Sequence, residues 1–334
     1  MPTPDRVRLP VLMMPVHTMP WHPGPATFPP GRSGLLLSPD PPRAVSNGLG
    51  LFDTHTPLRE LAVGAARTLA RSGLTPLLSS PRAARAVDGP WWDRWVVEVA
   101  EPVVGPVGTA ALARRTGRDD VLLMDRRGMP LAFVKLGRSP ESQERMEHER
   151  AILLRIQDSR PRAFRAPRLL DRGGDGERVW HFLEPLPDGP HTRPAADPAI
   201  LAAVVDDLRR CLAELPRPAD TPAHFVPGHG DLTHRNLRRG SDGRLWLFDW
   251  EYARWMPHLA DELRYWAAHR SFGLLHRPRA SARWIVETLR ERGTDSDIRE
   301  AVDWPEFNRR REAGIRETVG VMLGPDGTRA APIS

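Results

Sequence analysis

This chain of 334 residues is poor in cysteine, in tyrosine and, above all, in lysine. Its one cysteine, Cys211, can close no internal disulfide and cannot supply the thiolate set of a structural zinc site, which excludes disulfide scaffolds and zinc fingers. No uninterrupted apolar run reaches the ~18 residues needed to span a bilayer. The apolar stretch after Arg8 is broken by Pro10, Pro15 and Pro20 before any small-residue cleavage site. The expectation is a cytoplasmic protein with no membrane partner. Charge of one sign is also lacking, since 48 basic side chains face 42 acidic ones. Of the net +6, residues 1–90 carry nine arginines against five acids, so the rest of the chain is near balance. A nucleic-acid surface needs clustered positive charge, and no such stripe is present.

What the chain does hold is 40% hydrophobic residues, enough for a sizeable core that we expect in two lobes. Its 47 arginines fill nearly every cationic position, and Lys135 is the only lysine. A planar guanidinium and a compact ammonium do not fit the same slot, so a lone lysine in this background points to a site that selects the ammonium.

Twelve prolines fall in residues 1–42, which reads as extended or irregular chain that could wrap the surface through Met13, Met14 and Trp21. A helix follows, with Thr56 as N-cap, Pro57 in the first turn, Leu58, Leu61, Ala62, Ala65 and Leu69 as its apolar stripe, and Gly73 at its end. Residues 74–90 read as a linker, so 1–90 forms an N-terminal extension with one helix. From Trp91 to Pro187 short strands are expected: a hairpin over 121–135 turning at Gly128, and a strand Val179–Glu184 ended by Pro185 and Pro187. Between them lies a helix near Glu141–Gln157, with Met146, Ile152, Leu153 and Ile156 buried. Residues 188–334 show helical periodicity at Ile200–Leu215, Leu259–Arg270, Ala280–Arg290 and Trp304–Met322, with one β-rich stretch at 226–251.

The densest group of chemically capable residues is His229-Gly230-Asp231-Leu232-Thr233-His234-Arg235-Asn236. A glycine turn at 240–243 and the strand Arg244-Leu245-Trp246-Leu247-Phe248-Asp249-Trp250-Glu251 follow it. A hairpin here lets Asn236 and Asp249 meet, and two hard oxygens facing one point suit Mg²⁺ with substrate phosphates. His229 and His234 lack the third nitrogen or thiolate partner that zinc requires.

The pattern His-Gly-Asp-x-x-x-x-Asn, followed by an apolar strand ending in Asp, resembles the aminoglycoside phosphotransferase and choline kinase family, small-molecule relatives of the protein kinases. The resemblance spans about residues 100–270. It implies an α+β, two-lobed protein-kinase-like fold, with a small antiparallel-sheet lobe at 91–187 and a mainly helical lobe at 188–334. It implies an ATP-dependent, Mg²⁺-requiring transfer of phosphate to a small-molecule hydroxyl. By the same resemblance Asp231 is the catalytic aspartate, Asn236 and Asp249 are metal ligands, and His229 and Asp261 support the catalytic loop. Lys135 would contact the nucleotide phosphates and pair with Glu149, or failing that with Glu147. Backbone groups near Glu184 and Leu186 would meet the adenine. Glu251 fits either a surface or a metal-shell role.

The sequence departs from the kinase pattern before Lys135, where no Gly-x-Gly-x-x-Gly occurs; the candidate covering loops are Arg115–Asp120 and Gly105–Gly108. That gap and the long proline-rich start motivate an alternative, a catalytically silent nucleotide- or ligand-binding scaffold of kinase-like fold. Residues 259–334 hold 12 acidic and 13 arginine side chains, so no preference for a polycationic acceptor can be read. The acceptor and the oligomeric state stay open at this level.

Overall fold

The computed structural model describes residues 35–37, 41–51, 57–72, 89–189, 191–271, 274, 281–304, 319 and 323. The chain begins with β1 (Leu35–Leu37), α1 (Pro42–Gly48), a 3₁₀ turn (Leu49–Leu51) and α2 (Pro57–Arg71). A continuous helical run follows, made of α3 (Gly89–Trp95), a π-type turn (Val96–Ala100) and α4 (Glu101–Val104). Then come β2 (Thr109–Arg114), β3 (Arg118–Met124), β4 (Pro130–Gly137), α5 (Pro140–Ser159), β5 (Leu169–Gly174) and β6 (Val179–Leu183). The second half contains α6 (Pro198–Cys211), β7 (Val226–Gly228), β8 (Leu237–Arg239), β9 (Leu245–Leu247), β10 (Arg254–Met256), α7 (Ala260–Ser271), α8 (Ala282–Arg290) and α9 (Asp295–Asp303). The α+β, two-lobed order expected from the sequence is thus the order observed.

Six strands form one antiparallel sheet in the order β1-β2-β3-β4-β6-β5. Successive side chains of a strand point to opposite faces, and here both faces are covered. Leu112, Val121, Leu123, Val134, Leu136 and Phe182 pack on one side against Trp92, Trp95 and Ala100 of the α3–α4 run. The alternate residues Ala111, Leu122 and Met124 pack on the other side against Ala44, Val45 and Leu49 and against Val63, Ala66 and Ala70 of α2. This second face also carries Lys135, and its Phe133 and Leu183 reach the core of the helical lobe. The lobes therefore meet on the Lys135 side of the sheet.

Three expectations change. Residues 91–104 are helical rather than strand, because Trp91, Trp92 and Trp95 stack as a cluster at helical spacing, with ring centroids 5.2–6.5 Å apart. The stretch expected to hold one helix supplies β1 and two helices; among the described side chains of α2, Val63, Ala66 and Ala70 are buried and Ala65 is exposed, while those of Leu58, Leu61 and Ala62 lie outside the description. The cause is tertiary, since α2 packs against α1 and the sheet. Near the C-terminus, the unanticipated α9 is opened by a Thr294–Asp297 capping box and closed at Trp304. Of the helix expected at 304–322, only Trp304 and Val319 are described. Met13, Met14, Trp21, Thr56 and Gly73 and nearly all of the 74–90 linker lie outside the described residues. Among the described residues no helix is long and apolar enough to cross a membrane.

Candidate active site

Lys135 sits on β4, in a register where it faces Asp120 of β3 and His181 of β6. Because Val134 and Leu136 point to the tryptophan side, Lys135 must point toward the helical lobe. There α5 waits, started by a Ser139–Ser142 capping box with Pro140 at its first position and stopped by Arg160 at φ +49°. Its inward stripe is Met146, Glu149, Leu153 and Ile156, so Glu149 is a carboxylate placed in an apolar row. Lys135 Nζ donates to Glu149 Oε1 at 2.8 Å and to Asp249 Oδ1 at 2.8 Å, with Lys135 3% and Glu149 1% exposed. Glu147, the fallback partner, lies on the surface and pairs with Arg150 and Arg172.

The electrostatics follow from this burial. Desolvation disfavours the Lys135 ammonium, but the Asp249 and Glu149 carboxylates outweigh it and its pKa is raised. Desolvation raises Glu149 despite Lys135 beside it. Burial also opposes ionisation of Asp249, yet Lys135 and Arg118 hold its pKa well below the usual carboxylate range. Asp249 stands at φ +70°, a left-handed conformation that is costly for a residue with a side chain. The following amide, Trp250 N–H, donates to Glu149 Oε1 at 3.1 Å, which fastens this kinked segment to α5.

The loop 229–236 leaves β7 and is held from below by α7. Asp261 accepts the His229 amide at 2.7 Å and the Gly230 amide at 3.1 Å. Gly230 has φ +77°, and a Cβ there would fall 2.1 Å from the Tyr252 carbonyl oxygen, so the position excludes any side chain. His229 Nδ1 accepts the Asp231 amide at 3.2 Å while Nε2 reaches the Phe248 carbonyl at 3.2 Å, which fits the tautomer protonated on Nε2. Asn236 Nδ2 donates to the Asp231 carbonyl at 2.8 Å and to its carboxylate Oδ2 at 3.1 Å. Strand β8 pairs with β9, and Phe248 N–H donates to the Asn236 carbonyl at 3.1 Å, so Asn236 lies across from the residue before Asp249.

The structure thus brings Lys135, Glu149 and Asp249 into contact, and it joins Asp231 to Asn236, with His229 and Asp261 beneath them. The backbone near Glu184, expected to meet an adenine, is already engaged. Glu184 N–H already donates to the Arg168 carbonyl at 2.8 Å, and the Glu184 carboxylate pairs with Arg165 and Arg168. Just beyond Leu186, Asp188 is held by Arg43 and by Asn47 Nδ2 of α1, the latter at 2.9 Å. His234 is fully buried with its ring 5.1 Å from that of His269, and among the described residues no three His, Cys, Asp or Glu side chains converge on a metal position.

Arg264 escaped the sequence reading, as did the ion pairs of Arg118, a residue of the candidate Arg115–Asp120 loop. Arg264 of α7 puts Nη1 3.3 Å from Asp231 Oδ1, a pairing for which no local pattern gave a signal. Arg118, the residue after Gly117, reaches Glu251 Oε2 at 2.5 Å and Asp120 Oδ1 at 2.9 Å. Its position in a glycine-poor loop before the only lysine was the available hint.

No family model matches the chain, and no curated protein sequence matches it. Solved structures do show similarity. A spectinomycin phosphotransferase in complex with ADP and spectinomycin is 10% identical, covering 70% of this chain and 94% of that chain at a TM-score of 0.41. An amicoumacin kinase in complex with AMP-PNP and Ca²⁺ is 9% identical, covering 63% and 87% at 0.37. A GDP complex of an aminoglycoside 2'-phosphotransferase variant is 10% identical, covering 64% and 85% at 0.43.

Proposed function

We propose that the protein is an ATP-dependent phosphotransferase acting on a hydroxyl of a small molecule. The observation that carries this reading is the buried Lys135–Glu149 pair reaching Asp249, beside a loop in which Asn236 is bonded to Asp231. A buried ion pair is a poor way to gain stability, so its retention favours a functional use. Lys135 would hold phosphate oxygens of the nucleotide, and Asp231 would take the proton of the acceptor hydroxyl as the new O–P bond forms and the bond to ADP breaks. Arg264, 3.3 Å from Asp231, orients that carboxylate.

The donor set fits Mg²⁺. Asn236 uses its amide N–H groups on Asp231, which leaves its carboxamide oxygen, and Asp249 uses Oδ1 on Lys135, which leaves Oδ2. Both are hard oxygens on neighbouring segments. A bound magnesium ion would neutralise charge on the transferring phosphate.

Calorimetry of ATP with and without Mg²⁺, on the intact protein and on Asp249→Ala, tests the site. The expected result is magnesium-dependent binding that the variant loses, and transfer to a hydroxyl acceptor that Asp231→Ala abolishes while still binding nucleotide. Full transfer by Asp231→Ala would overturn the assignment.

A second reading has a specific observation behind it. Helices α1 and α2 cover Ala111, Leu122 and Met124 on the sheet face that also carries Lys135, and α1 grips Asp188 next to the expected base position. A silent scaffold whose cleft is filled by its own N-terminal helices would bind no ATP in the same experiment.

A further inference from the structure

A glycine-rich loop holds phosphates with free backbone amides, and this chain's loop between β2 and β3 is built otherwise. The Arg115 amide is already donated to the Arg118 carbonyl at 2.9 Å. The Gly117 carbonyl accepts from the Arg138 amide at 2.8 Å and from Ser142 Oγ at 2.7 Å, which pins the loop to the start of α5. Gly117 has φ +73°, and a Cβ would lie 2.5 Å from Ser139 Oγ. These bonds tie the turn to the start of α5 and use up the Arg115 amide.

What enters the cleft instead is a side chain. Arg118 has its side chain only 13% exposed, with Nη1 on Glu251 across the lobe boundary and Nε 2.9 Å from Asp120. Arg118 Nε and Asp120 Oδ1 form an ion pair without hydrogen-bond geometry, so the guanidinium is held more firmly by Glu251 than by Asp120. Asp120 stands opposite Lys135 in the sheet register, and Glu251 is two residues from Asp249. Lys135 is bonded to Asp249, and Arg118 is bonded to Glu251 two residues further on, so the two cations are tied to one short segment of chain.

We infer that Arg118 is a second phosphate-binding cation, acting with Lys135 on the oligophosphate of the ligand, and that Glu251 holds it in place until that anion arrives. The inference rests on the proposed nucleotide site and names how its phosphates are recognised. A guanidinium presents a planar fork of donors that matches two phosphate oxygens. Glu251 is the carboxylate that the incoming phosphate replaces. Oligophosphate oxygens are the ligand chemistry, whether they belong to a nucleoside triphosphate or to an inorganic oligophosphate.

The test is calorimetric binding of AMP, AMP-PNP and inorganic tripolyphosphate, with Mg²⁺, to the full chain and to Arg118→Met and Glu251→Gln. Arg118→Met is expected to weaken AMP-PNP and tripolyphosphate by roughly tenfold to a hundredfold, the scale of a charged hydrogen-bonding partner, and to leave AMP within about threefold. Glu251→Gln frees the guanidinium and should tighten tripolyphosphate binding. Equal losses for AMP and AMP-PNP, or no loss for either, would overturn the inference. If Arg118→Met does not fold, Glu251→Gln decides alone, and unchanged or weaker tripolyphosphate binding counts against it. Arg118-dependent tripolyphosphate binding by a chain that ignores AMP-PNP would uphold the anion site and refute the nucleotide reading. Normal AMP-PNP binding by Arg118→Met would do the reverse.

Discussion

Replacing Lys135 by Met removes the ammonium and leaves its carboxylate partners behind. Glu149 is 1% exposed, its Oε1 would keep only the Trp250 amide, and Oε2 has no partner among the described residues. Breaking a buried pair from one side costs about 3–5 kcal/mol, because an uncompensated charge stays in the interior. With a urea dependence of ~2–3 kcal/mol per molar, the unfolding midpoint should fall by about 1–2 M, read by the fluorescence of the buried tryptophans. In Lys135→Met/Glu149→Met the orphaned charge is gone, Asp249 keeps Arg118 nearby, and most of the loss should be recovered. The pH dependence adds a second check. Glu149 already has its folded pKa raised by burial, and without Lys135 it rises further, so the folded single variant binds the extra proton. Its stability must then fall as pH rises past the unfolded carboxylate value, and its deficit against the parent must grow from pH 5 to pH 8. A deficit below about 1 kcal/mol, or a double variant as unstable as the single one, would refute the view that these charges exist in mutual compensation.

Gly230→Ala should destabilise by more than ~1 kcal/mol and displace the 229–236 loop, since its Cβ meets the Tyr252 carbonyl, whereas Gly176→Ala, at φ +92° with open space around it, should cost about 1 kcal/mol or less. Paired urea titrations decide this, and equal costs would contradict the steric argument. Burial lowers His181 and His269 to about 4 and His234 to about 2, so the unfolded chain takes up protons below pH ~6.5 that the folded chain refuses. Stability should therefore drop as pH falls from 6.5 toward 4, by up to ~4 kcal/mol per unit for three groups. His181→Gln should remove about a third of that slope, and an unchanged slope in thermal melts would assign the acid sensitivity elsewhere.

Local patterns are legible where a residue's neighbours in sequence decide its state. Gly128 turns the 121–135 hairpin at φ +77°, and the Ser139-Pro140 start of α5 is a chain-local cap. The unique lysine in an arginine-rich chain singled out Lys135 before any geometry was known, and the structure puts it 2.8 Å from Glu149 and from Asp249. The helix at 91–104 was not legible, because Trp91, Trp92 and Trp95 are of a type that favours sheets in general while here they pack on a sheet from a helix.

By itself the amino-acid sequence determined the order of a sheet-rich and a helical half, the 229–236 loop and the presence of a special lysine, all of which depend on residue type and short spacing. The tertiary structure alone decided that Arg118 crosses to Glu251, separated by 133 residues, that Arg264 meets Asp231, and that α1 and α2 settle on the Lys135 face of the sheet. These pairings are chosen by shape and charge between distant segments, where every arginine of an arginine-rich chain is an equal candidate until the packing of the lobes leaves one within reach.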